Sequence, residues 1–418
     1  MPAASRAPWR PVVSEPAAPA TVVLLGGAEN ALSVARSLDR RGARVIALGD
    51  SASPLRHSRR RVAFHRADGD SQADDWLRWL RDDAAPGMLV FPCCDEALEL
   101  VGRHRDELAS RGLVPLEADD RAVANVLDKQ TAYEIARRAG IATPRTARLG
   151  SWPEVAAAAS EIGFPCALKP VHIHEFRQHF RRKVIVVRDL AALHAAFART
   201  SELGVAMILT EIIPGAEDRY CSYFTYVDER GAPMFHFTKR KLRQYPVGFG
   251  GGTYHLVEWA DDVAEQGWRF VQAAGLRGLA NTEFKRDPRD GLLKLIECNA
   301  RFTGGNEIVR LAGVDLAAIA YARMTGAVPP PVHGQRDGVR MWYPVEDTLA
   351  FLEARRTGDL TALGWLAGLL HHQRFPVWSV TDPLPSILAA GRTPARALRK
   401  LLSRGSAERS SSPEAVVQ

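Results

Sequence analysis

Two stretches of the chain carry oxygen donors at a spacing that suits a hard cation. They are Asn281-Thr282-Glu283-Phe284-Lys285 and Leu295-Ile296-Glu297-Cys298-Asn299-Ala300-Arg301. The intervening Arg286-Asp287-Pro288-Arg289-Asp290-Gly291 reads as a hairpin loop between two extended runs. Alternate side chains of a strand share a face, so Glu297, Asn299 and Arg301 point the same way. Pairing the runs can bring Glu283 to the same spot. Two carboxylates and an amide oxygen suit Mg2+, which is normally held by one or two carboxylates together with substrate phosphates. The arginine beside them would face phosphoryl or oxyanion charge. The bland alternative is a hairpin with a solvated charged face.

Other charges fall where an anion would meet them. Phe164-Pro165-Cys166-Ala167-Leu168-Lys169-Pro170 reads as a strand with one lysine among apolar neighbours. Burying that lysine is costly unless it meets an anion, so Lys169 is a phosphate candidate. In the run Lys239-Arg240-Lys241-Leu242-Arg243, Lys241 and Arg243 are expected to share a strand face and to meet a phosphate or a carboxylate. An exposed basic strand is the alternative. Asp95 and Glu96 follow an apolar strand and could touch a ligand, but first-turn acids that favour a helix dipole are the preferred reading. His172 and His174 resemble a metal pair only superficially, and a loop role is preferred.

The elements that must carry these residues are legible in outline. Thr21 to Leu25 is an apolar strand ending in Gly26-Gly27, followed by a helical pattern from Ala31 to Arg41 and a second strand from Arg44 to Leu48. This start is a doubly wound α/β signature, without the full glycine fingerprint of a dinucleotide site. Met88 to Phe91 is another buried strand. Helix resumes at Asp119 and runs through Lys129. Further strands are expected at Val184 to Val187 and Ala206 to Thr210, a hairpin at Tyr220 to Val227 and Met234 to Lys241, and helices at Leu190 to Ala198 and Val263 to Ala274.

With 418 residues, 46% apolar and 25% charged, two or three packed units are expected. The net charge of +7 comes mostly from local basic runs that could draw in anions. Nothing resembles a nucleic-acid module. The five cysteines are scattered, which fits free thiols in a reducing cytoplasm. No segment approaches membrane-span length. The region 347–369 reads as amphipathic helix, and Ala395 to Leu402 as a basic one. Packing on the body of the protein or a homodimer contact is preferred for these parts over a peripheral membrane contact.

Taken in order, Lys129, Lys169, Glu211-Ile212-Ile213-Pro214-Gly215-Ala216-Glu217, Glu283, Glu297-Cys298-Asn299 and Arg301 resemble the ATP-grasp superfamily. Within it, the Lys-Pro-Val-His run, the basic strand around Lys241 and the Gly250-Gly251-Gly252-Thr253 loop are most similar to D-aspartate-ligase-type carboxylate–amine ligases. The resemblance implies an α/β, doubly wound pre-ATP-grasp domain (21–117) and an α+β two-lobed ATP-grasp fold (118–205 and 206–328). A helical extension (329–403) would follow, with disordered tails at 1–20 and 404–418. It implies that Lys129 and Lys169 hold phosphates, and that the hinge Glu211, Ile212 and Ile213 bonds adenine through the Glu211 carbonyl and the Ile213 N–H. Glu217 would take the ribose. Glu283, Glu297 and Asn299 would bind two Mg2+ (or Mn2+), with Arg301, Lys241 and Arg243 at the reacting groups. The implied reaction activates a small carboxylate substrate with ATP and joins it to an amine. The alternatives are a bicarbonate-using carboxylase and a non-catalytic nucleotide-binding protein. The usual glycine-rich phosphate loop is missing from 171–183, so Arg and Lys side chains are expected to close over the phosphates there.

Overall fold

The structure, a computed structural model, describes residues 19–388 apart from 61, 70, 172–175, 177, 178 and 181–183. His172, His174, most of the basic stretch up to Lys183, the expected tails apart from residues 19 and 20, and the basic helix 395–402 therefore lie outside the described residues.

The first unit grows from β1 (Thr21–Leu25), whose residues alternate between two cores. Val22 and Leu24 pack with the helix Glu29–Arg40, while Val23 and Leu25 pack with Trp76, Leu80 and Val101. With β2 (Arg44–Gly49), β3 (Val62–Arg66), β4 (Leu89–Pro92) and β5 (Val114–Pro115) it forms a parallel sheet in the order β3-β2-β1-β4-β5. A sheet covered on both faces is the doubly wound arrangement expected from the sequence. Gly26, at φ +65°, is required where β1 turns: a Cβ there would stand 2.6 Å from the Cys94 sulfur.

The second unit is an antiparallel sheet of β6 (Thr146–Arg148), β7 (Cys166–Pro170), β8 (Ile185–Val187) and β9 (Met207–Glu211), in the order β6-β9-β7-β8. Cys166 and Leu168 of β7 face a core shared with the helices Trp152–Ile162 and Leu190–Glu202. By the period of two, Lys169 faces away from those helices.

The third unit is a seven-stranded sheet. Its strands are β10 (Tyr220–Val227), β11 (Phe237–Tyr245), β12 (Gly251–Val257), β13 (Gly278–Arg286), β14 (Leu293–Asn299), β15 (Arg340–Trp342) and β16 (Gln373–Arg374), in the order β14-β13-β10-β11-β12-β15-β16. Tyr223, Phe284, Leu295 and Cys298 bury one face against the helices Asp120–Leu127, Lys129–Arg138 and Asp261–Ala273. The expected continuous helix through Lys129 is two helices, because Asp119 and Asp128 each cap a start, accepting from the N–H of Ala122 and of Thr131. The expected helix 347–369 is also two, Pro344–Thr357 and Ala362–Leu369, broken where Gly358 turns left-handed at φ +80°.

Candidate active site

Pairing across three antiparallel strands lines up the oxygen donors. Glu283 of β13 lies opposite Glu297 of β14, and Asn281 lies opposite Asn299. On the other side Glu283 pairs with Ser222 of β10, which pairs with Lys239 of β11. Cys298 is in the core on the reverse face, so Glu283, Glu297 and Asn299 share the face away from it. Asn299 Nδ2 donates to Glu297 Oε1 at 3.3 Å. Glu283 is held by Lys241, whose Nζ donates to Oε1 at 2.9 Å. Among the described residues no three His, Cys, Asp or Glu side chains converge. The donor set is therefore two carboxylates and an amide oxygen, which fits an Mg2+ that keeps phosphate or water oxygens in its remaining positions.

Lys169 stands in the electrostatic field of this row. Burial first, and the charge of Lys129 second, push its ammonium down to about 8 against the pull of Glu297 and Glu283. Lys129 is the first residue of its helix and is half-buried. Lys169 thus lies within electrostatic reach of Lys129, Glu283 and Glu297.

The segment after β9 is pinned from several sides. The buried carboxylate of Glu211 accepts from the Arg145 N–H at 3.0 Å and ion-pairs with Arg145 at 3.0 Å and Arg289 at 2.7 Å. Burial alone would raise its pKa, but these partners outweigh that and hold it low. Ile213 is buried and Ile212 half-buried. Lys285 donates to the carbonyls of Ile213 and Gly215, each at 2.9 Å. Glu217 Oε1 accepts from the Gly248 N–H at 2.9 Å, whereas its Oε2 is buried with no hydrogen-bond partner among the described residues. Burial raises the Glu217 carboxyl above its usual range. An orphaned carboxylate oxygen is an acceptor waiting for a donor, and a sugar hydroxyl is such a donor.

Two expectations change. Lys241 and Arg243 do not share a face, because β11 is irregular between them and again after Arg243. Lys241 points to Glu283 and lies over the Tyr220 ring at 4.3 Å. Arg243 lies over the Tyr254 ring at 4.3 Å and grips Asp347 at 2.7 and 2.8 Å. A bulge inverts every face beyond it, so Arg243 leaves the site and fastens the C-terminal helices. Arg301 stays beside the row but is tied to Asp95, at 2.5 and 2.9 Å. Burial lowers its pKa and the Asp95 carboxylate more than restores it. Asp95 and Glu96 open the helix Asp95–Arg103, as the dipole reading expected.

Sequence reasoning passed over Lys239, Lys285 and His255. Lys239 is buried, 3.3 Å from Ser222 Oγ and 3.4 Å from His255 Nδ1, with its pKa pushed down to about 8 by burial. The signal was present, since Lys239 alternates with Lys241 and Lys285 with Glu283.

Residues 237–344 match the family described as "ATP-grasp in the biosynthetic pathway with Ter operon". The chain is 24% identical over 359 residues to the D-aspartate ligase of Enterococcus faecium (strain Aus0004), covering 81% of this chain and 85% of that protein. N5-carboxyaminoimidazole synthetase from Staphylococcus aureus, solved in complex with ADP, superposes with a TM-score of 0.60 at 15% identity, over 81% of this chain and 86% of that one. L-amino acid ligase from Bacillus licheniformis gives 0.55 at 15% identity, over 74% and 75%. At such identities, structural likeness shows a common fold.

Proposed function

Because this chain has the ATP-grasp fold, we propose that it is an ATP-dependent ligase that activates a carboxylate as an acyl phosphate and joins it to an amine. The observation that supports this most is the row Glu297–Glu283, with Asn299 beside it, in the field of the half-buried Lys169. Two of the similar proteins are amino-acid ligases by name, which favours an amine as acceptor.

In this reading the nucleotide lies between β7 and the β13–β14 pair. Lys129 and Lys169 neutralise phosphate charge as point cations. The Glu211 carbonyl and the Ile213 N–H take the adenine edge, with Ile212 between them, and Glu217 Oε2 accepts a ribose hydroxyl. Glu283, Glu297 and Asn299 would hold the divalent ions, two Mg2+ with Mn2+ as a substitute. Such ions, when bound, would supply positive charge against the phosphates during the transfer. A substrate carboxylate oxygen attacks the γ-phosphorus, the bond to the bridging oxygen breaks, and ADP leaves. The amine nitrogen then attacks the acyl carbon, inorganic phosphate departs, and the amine gives up a proton. Arg301 and Lys241 face the charge that develops. Five unpaired thiols and an ATP-driven reaction both suit the cytoplasm.

The test is ADP release from MgATP with pairs of amino acids, D-aspartate first as the acid. The reading requires turnover that depends on an amine. Turnover that depends on bicarbonate instead would assign a carboxylase. Glu297→Ala and Asn299→Ala should each lower the rate by about 10²–10³ or more while the fold persists. An unchanged rate in either removes the metal assignment.

A further inference from the structure

The helix Ala362–Leu369 is anchored by one face only. Trp365 donates its indole N–H to Asp347 at 2.9 Å and stacks on Phe351 at 4.8 Å between centroids. The Gly368 carbonyl accepts from the Tyr254 hydroxyl at 2.6 Å and from Gln373 at 3.0 Å. Leu363, Leu366 and Leu370 recur at the spacing of the opposite face and are 81%, 50% and 88% exposed. Packing on the body of the protein, one of the two expectations preferred for this segment, does not cover them. Trp378, Val380 and Ile387 follow at 57%, 80% and 57%. Most of the large exposed apolar residues among those described therefore fall within 363–387. An exposed apolar helix face such as that of Leu363, Leu366 and Leu370 marks an interaction site.

Charge decides between its occupants. His371, His372 and Arg374 are exposed beside the leucines. The one acid in 361–388, Asp382, is buried and paired with Arg36 at 3.1 Å. The sequence then continues through 389–418 with six basic residues against two acidic ones. A second copy seated face to face would bring two such cationic stretches together, whereas an anionic lipid surface would neutralise them. We propose that this face docks the protein peripherally on an anionic membrane, with Leu363, Leu366 and Leu370 entering the interface and the basic residues meeting lipid headgroups. No helix among the described residues is long and apolar enough to cross a membrane, so this would be attachment to one leaflet.

Co-sedimentation of the full chain with phosphatidylcholine vesicles containing phosphatidylglycerol tests it, against pure phosphatidylcholine. The expected result is binding to the anionic vesicles that salt weakens, roughly tenfold less binding to the neutral ones, and a similar loss for the double variant Leu363→Asp, Leu370→Asp. Both positions are exposed and are not among the proposed ligands, so ATP binding should be unchanged in the variant and reports its fold. Failure to pellet with anionic vesicles overturns the proposal. So does binding that ignores lipid charge, or binding that the double variant retains. A light-scattering dimer abolished by the same substitutions, without vesicle binding, would assign the face to a second copy.

Discussion

Lys169 illustrates how a residue's environment sets its chemistry. Burial has pushed its pKa down to about 8, from an ordinary lysine value near 10.5. A phosphate would restore the charged form, so nucleotide binding near pH 8 should take up a proton. Affinity for ADP should be full below about pH 8 and fall by up to about tenfold per pH unit above it. The contribution of this group to stability has the opposite sign. Below pH 8 the folded state bears the cost of the buried charge, and that cost is relieved between pH 8 and 10.5, where only the unfolded lysine holds its proton. Calorimetry in buffers of different ionisation enthalpy would measure the uptake, and Lys169→Met should abolish it. Glu217 offers a second test. If its unpartnered Oε2 accepts a ribose hydroxyl, Glu217→Ala should weaken ATP binding roughly 10- to 100-fold, the range of a charged hydrogen bond. The variant should also lose any preference for ATP over its 2′,3′-dideoxy analogue. A preference that survives the substitution would place the ribose elsewhere.

At the level of elements, the sequence was most readable where a period of two met a turn signal. The β13–β14 hairpin is such a place, and Cys298 facing the core follows from the same alternation. Lys169 was readable as the one charge in an apolar strand. Arg243 was not, because no glycine or proline marks the irregularity in β11 that turns it toward Asp347. Caps were also missed, so Asp119 and Asp128 split one expected helix into two. Asp347, fully buried, accepts from Arg243, Thr253, Trp342 and Trp365, residues scattered from 243 to 365, and nothing local in the sequence announces such a hub. Asp347→Ala would strand a buried guanidinium and should cost about 3–5 kcal/mol in denaturant unfolding. Arg243→Ala should cost a similar amount, and the double variant clearly less than the sum. Additive losses would mean that the pair is not coupled.

For the whole molecule, the parallel sheet and the seven-stranded sheet share one apolar core, and the Arg301–Asp95 pair crosses between them. The four-stranded sheet keeps a core of its own. That division was only partly visible in the sequence, because sharing a core depends on contacts between residues far apart in the chain. A unit with its own core can close as a body on a nucleotide, so ADP with Mg2+ should slow amide exchange most at β7 and β9. Protection spread evenly over all three sheets would argue against a closing lobe. The central claim is that Glu283, Glu297 and Asn299 hold a divalent ion only together with a nucleotide. Electron paramagnetic resonance of Mn2+ titrated into the protein tests it most directly. Bound Mn2+ is expected when ADP is present, little without it, and that binding should be lost in Glu297→Gln, Asn299→Ala. Bound Mn2+ that is the same in the variant, or that does not need the nucleotide, would contradict it.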